Sequence, residues 1–288
     1  MGPARGRILL VRDPMMPLLL LLLACHAAAP EPPPPEPVAP KSPPIAAPEW
    51  PQPGAPFDHP VIESPPGFEK QSVFVIAGHG NGSKTGNLGA WCTWESDFAL
   101  ETADQLSDLL DATGHFDVVR ARSGKQRPSY GSRIRHLERS GATAMIELHS
   151  DARANHMMPN GAAANGEVCW RDDGEPGFTI LVNDRTNAPD KADRLALARA
   201  IAESMTAAGF LPWVGDNYGE LYERDEVDGV WRDRRGLYML RHPLVPAVII
   251  ETHNAKDGLE TRRWEEPGTH DAFGRAMLAA LFRWYDER

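Results

Sequence analysis

From about Glu69 the sequence alternates short, wholly apolar runs with segments of helical periodicity, and this alternation constrains the fold more than any other feature. Val73-Phe74-Val75-Ile76-Ala77 is apolar at consecutive positions and stops at Gly78. A strand with one wet face would alternate apolar and polar residues, so a continuous run predicts a strand covered on both faces, as in parallel sheets. Glu95 to Ala112 carries Phe98, Leu100, Ala103, Leu106, Leu109 and Leu110 near helical spacing, with Gly114 just beyond. The pattern then predicts strands over 116–121, 144–148, 178–182 and 245–250. It predicts helices over 132–139, 192–208 and 272–284, with Asp190 capping the second of these and Gly209 ending it. Such an order implies an α/β fold: a single layer-sandwich domain with a largely parallel or mixed central sheet flanked by helices. In sheets of this kind ligands gather at the carboxyl ends of the strands.

The first 68 residues do not share this pattern. Arg5, Arg7 and Arg12 precede six consecutive leucines, Leu18 to Leu23, followed by Ala24 and Cys25. That core is far shorter than the ~20 residues a membrane-spanning helix needs, so residues 1–25 read as a secretory signal. Leu22-Leu23-Ala24-Cys25 resembles a lipobox, which makes Cys25 a candidate for lipidation and the N-terminus a candidate membrane anchor. Residues 26–68 read as a Pro-rich disordered linker, since sixteen of the 27 prolines fall between 30 and 66. Residues 69–288 are left as the catalytic domain. The chain carries a formal net charge of -10, which argues against a nucleic-acid partner. Its three cysteines are too few for a disulfide scaffold and wrongly spaced for a Cys-rich zinc module.

The residues with chemistry sit where the predicted strands end. The first strand runs into Gly78-His79-Gly80, the third into His149-Ser150-Asp151, and the last into Glu251-Thr252-His253; Glu95 opens the first helix. Two imidazoles and a carboxylate, His79, His149 and Glu95, make a set that binds zinc and leaves one position open for water. Glu251 follows Val-Ile-Ile directly, and a buried strand end seldom accepts an unpaired charge without a use for it. It is the candidate proton acceptor. No G-x-S-x-G elbow and no Cys-His pairing is present, so serine or cysteine nucleophilic catalysis lacks its parts.

Together these stretches resemble the zinc-dependent N-acetylmuramoyl-L-alanine amidases of the third amidase family. The resemblance runs from about Ser72 to Trp284. It rests on Val75-Ile76-Ala77-Gly78-His79-Gly80, on Glu95, on Val119-Arg120-Ala121-Arg122 and on Glu147-Leu148-His149-Ser150-Asp151-Ala152. Gly236-Leu237-Tyr238-Met239-Leu240-Arg241 and Pro246-Ala247-Val248-Ile249-Ile250-Glu251-Thr252 complete it. It implies hydrolysis of the lactyl amide between muramic acid and L-alanine in peptidoglycan. It further implies one zinc ion per chain on His79, Glu95 and His149, with Glu251 as the catalytic carboxylate. Peptidoglycan as partner places the protein outside the cytoplasm, in the periplasm and anchored through Cys25.

The sequence also departs from that family. The usual Asp before the first Gly-His-Gly-Gly is missing, and Asn81 replaces its last Gly. Asp151 stands where Asn is normal, His253-Asn254 replace Gly-Phe, and residues 153–177 and 210–235 are longer than the family core requires. His253 can be a fifth polar group in the site, and is expected rather to donate a hydrogen bond beside it. Trp91 and Trp94 can stack on sugar rings or simply pack. Arg122 can hold a substrate carboxylate or serve the scaffold, and Tyr218, Tyr222 and Trp231 can form a groove wall within an acidic loop. Once Cys25 is lipidated or removed, Cys92 and Cys169 remain as an even pair, expected to form a disulfide tying the 153–177 stretch to the loop before Glu95. Two other functions share these features: a zinc amidohydrolase for a soluble N-acyl amino acid, and a non-catalytic wall-binding lipoprotein.

Overall fold

A computed structural model describes residues 49–288 apart from 82–83, 125, 186–189 and 217. The predicted signal segment, Cys25 and residues 26–48 of the predicted linker lie outside the described residues. The described residues all fall in one compact unit.

Strand β1 (Gln71–Ala77) is followed by helix α1 (Glu95–Ala112), strand β2 (Phe116–Arg120), helix α2 (Tyr130–Ser140) and strand β3 (Ala144–Asp151). A hairpin of β4 (Met158–Ala162) and β5 (Val168–Arg171) interrupts the alternation, which resumes with β6 (Thr179–Val182) and α3 (Lys191–Ala207). Then come β7 (Tyr222–Arg224), β8 (Val230–Asp233), α4 (Tyr238–Arg241), β9 (Ala247–Asn254), α5 (Gly258–Trp264) and α6 (Pro267–Asp286). The main sheet has seven strands in the order β2-β1-β3-β9-β6-β8-β7. β2, β1, β3 and β9 are mutually parallel, β6 runs antiparallel to β9, and β7 antiparallel to β8. The sheet is mixed, and its parallel half carries the predicted site.

Alternation along β1 explains the two layers. Val73, Val75 and Ala77 face a core shared with α1, α3 and α6, while Phe74 and Ile76 face a second core with Ile134 and Leu137 of α2 and Met239 and Leu240 of α4. Val73 to Ala77 are all buried, as the continuous apolar run predicts. Asp190 stands at the N-cap of α3 but makes no side-chain cap bond. Its carboxylate instead pairs with the buried Arg194 at 2.7 Å.

The predicted linker boundary at residue 68 is corrected by the packing of residues 49–68. Trp50 is buried, with its ring 5.2 Å from Phe210 and 5.6 Å from Phe57, and its Nε1 donates to Glu260 Oε1 at 2.7 Å. Arg263 Nη2 donates to Ala55 O at 2.8 Å, and Phe68 sets its edge against Phe282 at 4.8 Å. Proline content alone suggests an extended spacer here. Trp50, buried, and Phe57 and Phe68, half-buried, hold the stretch on the domain, where full burial of one large side chain contributes roughly 1.5–3 kcal/mol.

Candidate active site

β1, β3 and β9 are parallel neighbours, so their carboxyl ends meet at one edge. Within β3 and β9, His149 lies directly beside Glu251. Beyond that pair the register shifts, and Asp151 faces Asn254 rather than His253. The extra residue is a β-bulge, and a bulge re-aims side chains. His253 accordingly turns away from Glu251, stacks on Trp264 at 5.5 Å and meets the edge of Phe98 at 4.7 Å. Burial, then the nearby Arg153, lowers its pKa to about 3. Its Nδ1 lies 3.0 Å from Thr252 Oγ1, which donates to His149 O at 3.0 Å, so the expected hydrogen bond beside the site is present while the ring itself packs behind β9.

His79 Nε2 lies 2.9 Å from Glu95 Oε1, and His149 Nδ1 lies 2.7 Å from the same oxygen. One donor atom from each of His79, Glu95 and His149 falls within 4.8 Å of the others. The other carboxylate oxygen of Glu95 is fixed by Asn87, whose N and Nδ2 donate at 2.9 and 2.8 Å. Burial would raise the Glu95 carboxyl, but hydrogen bonds from His149 and His79 outweigh it and hold the group well below the usual carboxylate range. His149 goes the other way. Burial opposes its charge, yet Glu147 and Glu95 raise it well above the ordinary imidazole range. A site that gathers two imidazoles on one ionised carboxylate oxygen has the donor chemistry of a transition-metal site, and the residues fit zinc.

Two glycines make this convergence possible. A Cβ on Gly78 would stand 2.5 Å from His149 Cε1 and Nε2, and one on Gly86 would run into Glu95 and His79. His79 itself has φ 52°, a left-handed conformation that costs a non-glycine residue about 1–3 kcal/mol. Two arginines hold that turn. Arg133, fully buried on α2, donates to the carbonyl of His79 and to Ala77 O at 3.2 Å, and pairs with Glu147 at 3.3 Å. Arg122 donates to Ala77 O, Gly78 O and Ser96 O at 3.3, 3.2 and 2.7 Å. Arg122 therefore serves the scaffold and does not face the cleft. Neither Asn87 nor Arg133 stands out in the sequence, because the fold and not a local repeat sets their partners.

His79, Glu95 and His149 open on a cleft of about 390 Å³ that is also lined by Glu251, Tyr130, Tyr222, Arg235 and Tyr238. Burial, only partly offset by His149 and reinforced by Asp151 and Glu95, pushes the Glu251 carboxyl up to about 8. Its Oε2 is buried and has no hydrogen-bond partner. Tyr222 joins the wall of the cleft, while Tyr218 donates from its hydroxyl to Asp151 and Trp231 is buried beneath. The acidic residues of that loop are largely tied to arginines, as in Asp225 with Arg199 and Arg232. Trp91 donates to Gly258 O at 2.9 Å and lies under Arg262 at 3.9 Å, and so packs in the scaffold. Cys92 and Cys169 form a disulfide that links the loop before α1 to β5.

Residues 73–283 match the sequence profile of a family described as N-acetylmuramoyl-L-alanine amidase. No curated protein matches the chain by sequence. Among solved structures, the amidase Ami1 of Mycobacterium smegmatis superposes with a TM-score of 0.60 at 15% identity, covering 77% of this chain and 99% of that one. An N-acetylmuramoyl-L-alanine amidase from Clostridium difficile 630 gives 0.56 at 18% identity, covering 76% and 99%. AmiC2 of Nostoc punctiforme gives 0.55 at 17% identity, covering 77% and 100%.

Proposed function

The chain belongs to the N-acetylmuramoyl-L-alanine amidase family, peptidoglycan amidases, and from that membership we propose a zinc-dependent hydrolysis of the amide between muramic acid and L-alanine. One observation carries the reading. The donor atoms of His79, Glu95 and His149 gather within 4.8 Å, beside a buried Glu251 oxygen that nothing else uses. In this reading those three residues hold the zinc. When bound, the ion supplies Lewis acidity toward the scissile carbonyl and the attacking water. Glu251 Oε2 accepts a proton from that water and delivers it to the departing L-alanine nitrogen. A raised carboxyl pKa suits both halves of that cycle, because the group must take a proton and release it again. Glu147 and Arg133 keep His149 and the His79 turn in place, and Asn87 keeps Glu95 oriented.

Peptidoglycan lies outside the cytoplasm, so the substrate implies export. We propose further that Cys25 is lipidated and that residues 26–48 tether the catalytic unit to a membrane facing the periplasm. Among the described residues no helix is long and apolar enough to cross a membrane. Digestion of peptidoglycan by the zinc-loaded protein should release peptides with free L-alanine amino groups and no new reducing sugar ends. Appearance of reducing ends, or full activity after chelation of all metal, would sink this reading.

A further inference from the structure

Beside the cleft lies a second cavity of about 200 Å³ whose walls include Arg185, Arg234, Arg235 and Arg241. Arg235 lines both spaces. In a chain of 40 acidic and 30 basic residues, arginines that meet at a cavity would be expected to carry carboxylate partners. Arg234 does, with Asp184 at 2.6 Å and Glu223 at 2.7 Å. Among the described residues, Arg185, Arg235 and Arg241 have no carboxylate within ion-pairing distance. Asp233 also lines the cavity, but its oxygens accept from Arg235 N at 2.9 Å and Leu237 N at 2.7 Å. That carboxylate shapes the backbone turn which presents Arg235.

The three arginines come from separate places. Arg185 follows β6, Arg235 follows β8, and Arg241 ends α4. Arg235 is steadied by Tyr222, whose hydroxyl accepts from its Nη1 at 2.9 Å. The side chain of Arg241 lies next to Gly236, where a Cβ would stand 3.8 Å from its Nη1. Guanidinium groups bind oxyanions through forked, charge-assisted hydrogen bonds and do not lose their charge. Arg122, the arginine that the sequence offers for a substrate carboxylate, is spent on backbone carbonyls.

We propose that Arg185, Arg235 and Arg241 form a subsite for an anionic oxygen group on the substrate, set beside the scissile amide in the cleft. The proposal rests on the amidase reading. A carboxylate on the peptide part and a phosphate on the sugar present the same chemistry, and either would lie within one molecule that spans cleft and cavity.

The test separates binding from turnover. Three muramoyl peptides are titrated calorimetrically into the full chain carrying Glu251→Gln: one with free peptide carboxylates, one fully amidated, and the amidated peptide with a phosphate on its sugar. At least one anionic ligand should bind about tenfold more tightly than the neutral one. The arm with the advantage identifies the source of the anion. Combining Arg185→Gln with Arg241→Gln, both at exposed positions, should bring that ratio close to one while metal content and melting temperature hold. Equal affinity for all three ligands, or a ratio that survives the double substitution, overturns the subsite. Turnover of the same peptides by the unsubstituted protein tests the amidase reading by itself, since binding is read without it.

Discussion

The cleft end of β9 holds a half-buried glutamate and the packing behind it a fully buried one, and the two regions treat them in opposite ways. Glu251 faces the cleft with an oxygen that has no partner. Glu260, on α5, accepts from Trp50 Nε1 at 2.7 Å, from Gly177 N at 2.9 Å and from Asn254 N at 2.8 Å. Burial raises both carboxyls, Glu251 to about 8 and Glu260 to about 7. A buried carboxylate that collects three donors ties segments together. One left without donors costs stability and leaves a proton acceptor free for a reaction.

The largest effect expected from this contrast is on turnover. Glu251→Gln should lower kcat by about 10²–10⁴-fold, the usual contribution of a positioned acid–base group. Metal content and melting temperature should be kept or improved, because no native hydrogen bond to Oε2 is lost. If this substitution strips the metal, Glu251 is a ligand and the contrast with Glu260 is of another kind.

Trp50→Ala removes both a buried indole and one donor to Glu260. It should cost about 3–5 kcal/mol on chemical denaturation, the range for truncating a core aromatic. Activity per folded molecule should change little. An unaltered denaturation midpoint would show that residues 49–68 do not belong to the folded unit.

pH separates the regions in a third way. The Glu260 carboxyl is raised from 4.5 to about 7, so in that interval the folded state binds more protons than the unfolded state. Its contribution to stability is therefore greatest at the acid end and falls as pH rises from 4.5 through 7, by about 2 kcal/mol between pH 5 and pH 7. Glu251, raised in the same direction, adds a slope of its own, so denaturation curves of Glu260→Gln should become shallower by about this amount and keep the remainder. A slope as steep as in the unsubstituted protein would assign the pH dependence elsewhere.

Glu260→Gln is expected to cost about 1–3 kcal/mol at pH 8. The amide would turn an N–H toward donors that need an acceptor, while the cleft residues stay in place. A loss of metal with the stability unchanged would reverse the roles given to the two glutamates.

Much of this architecture is legible along the chain. The apolar run at Val73 to Ala77, the helical spacing after Glu95 and the third strand ending at His149 are local patterns, and the elements form where those patterns lie. A parallel arrangement of such strands carries their carboxyl ends to one edge, which is why His79, His149 and Glu251 can be read as neighbours without coordinates. What local periodicity does not encode is pairing over long separations. Trp50 meets Glu260 across 210 positions, and Asn87 reaches the carbonyl of Ser150 across 63. The turn of His253 away from the cleft depends on a bulge that appears only when β9 is laid beside β3. The meeting of Arg185, Arg235 and Arg241 requires three separate segments to be packed first. Repeats of 2.0 and 3.6 residues decide which side of an element is apolar, and so the sequence alone determined the layers and the strand-end site. Which polar groups are spent on the backbone and which stay open to a ligand follows from contacts between distant segments, and only the tertiary structure decided that.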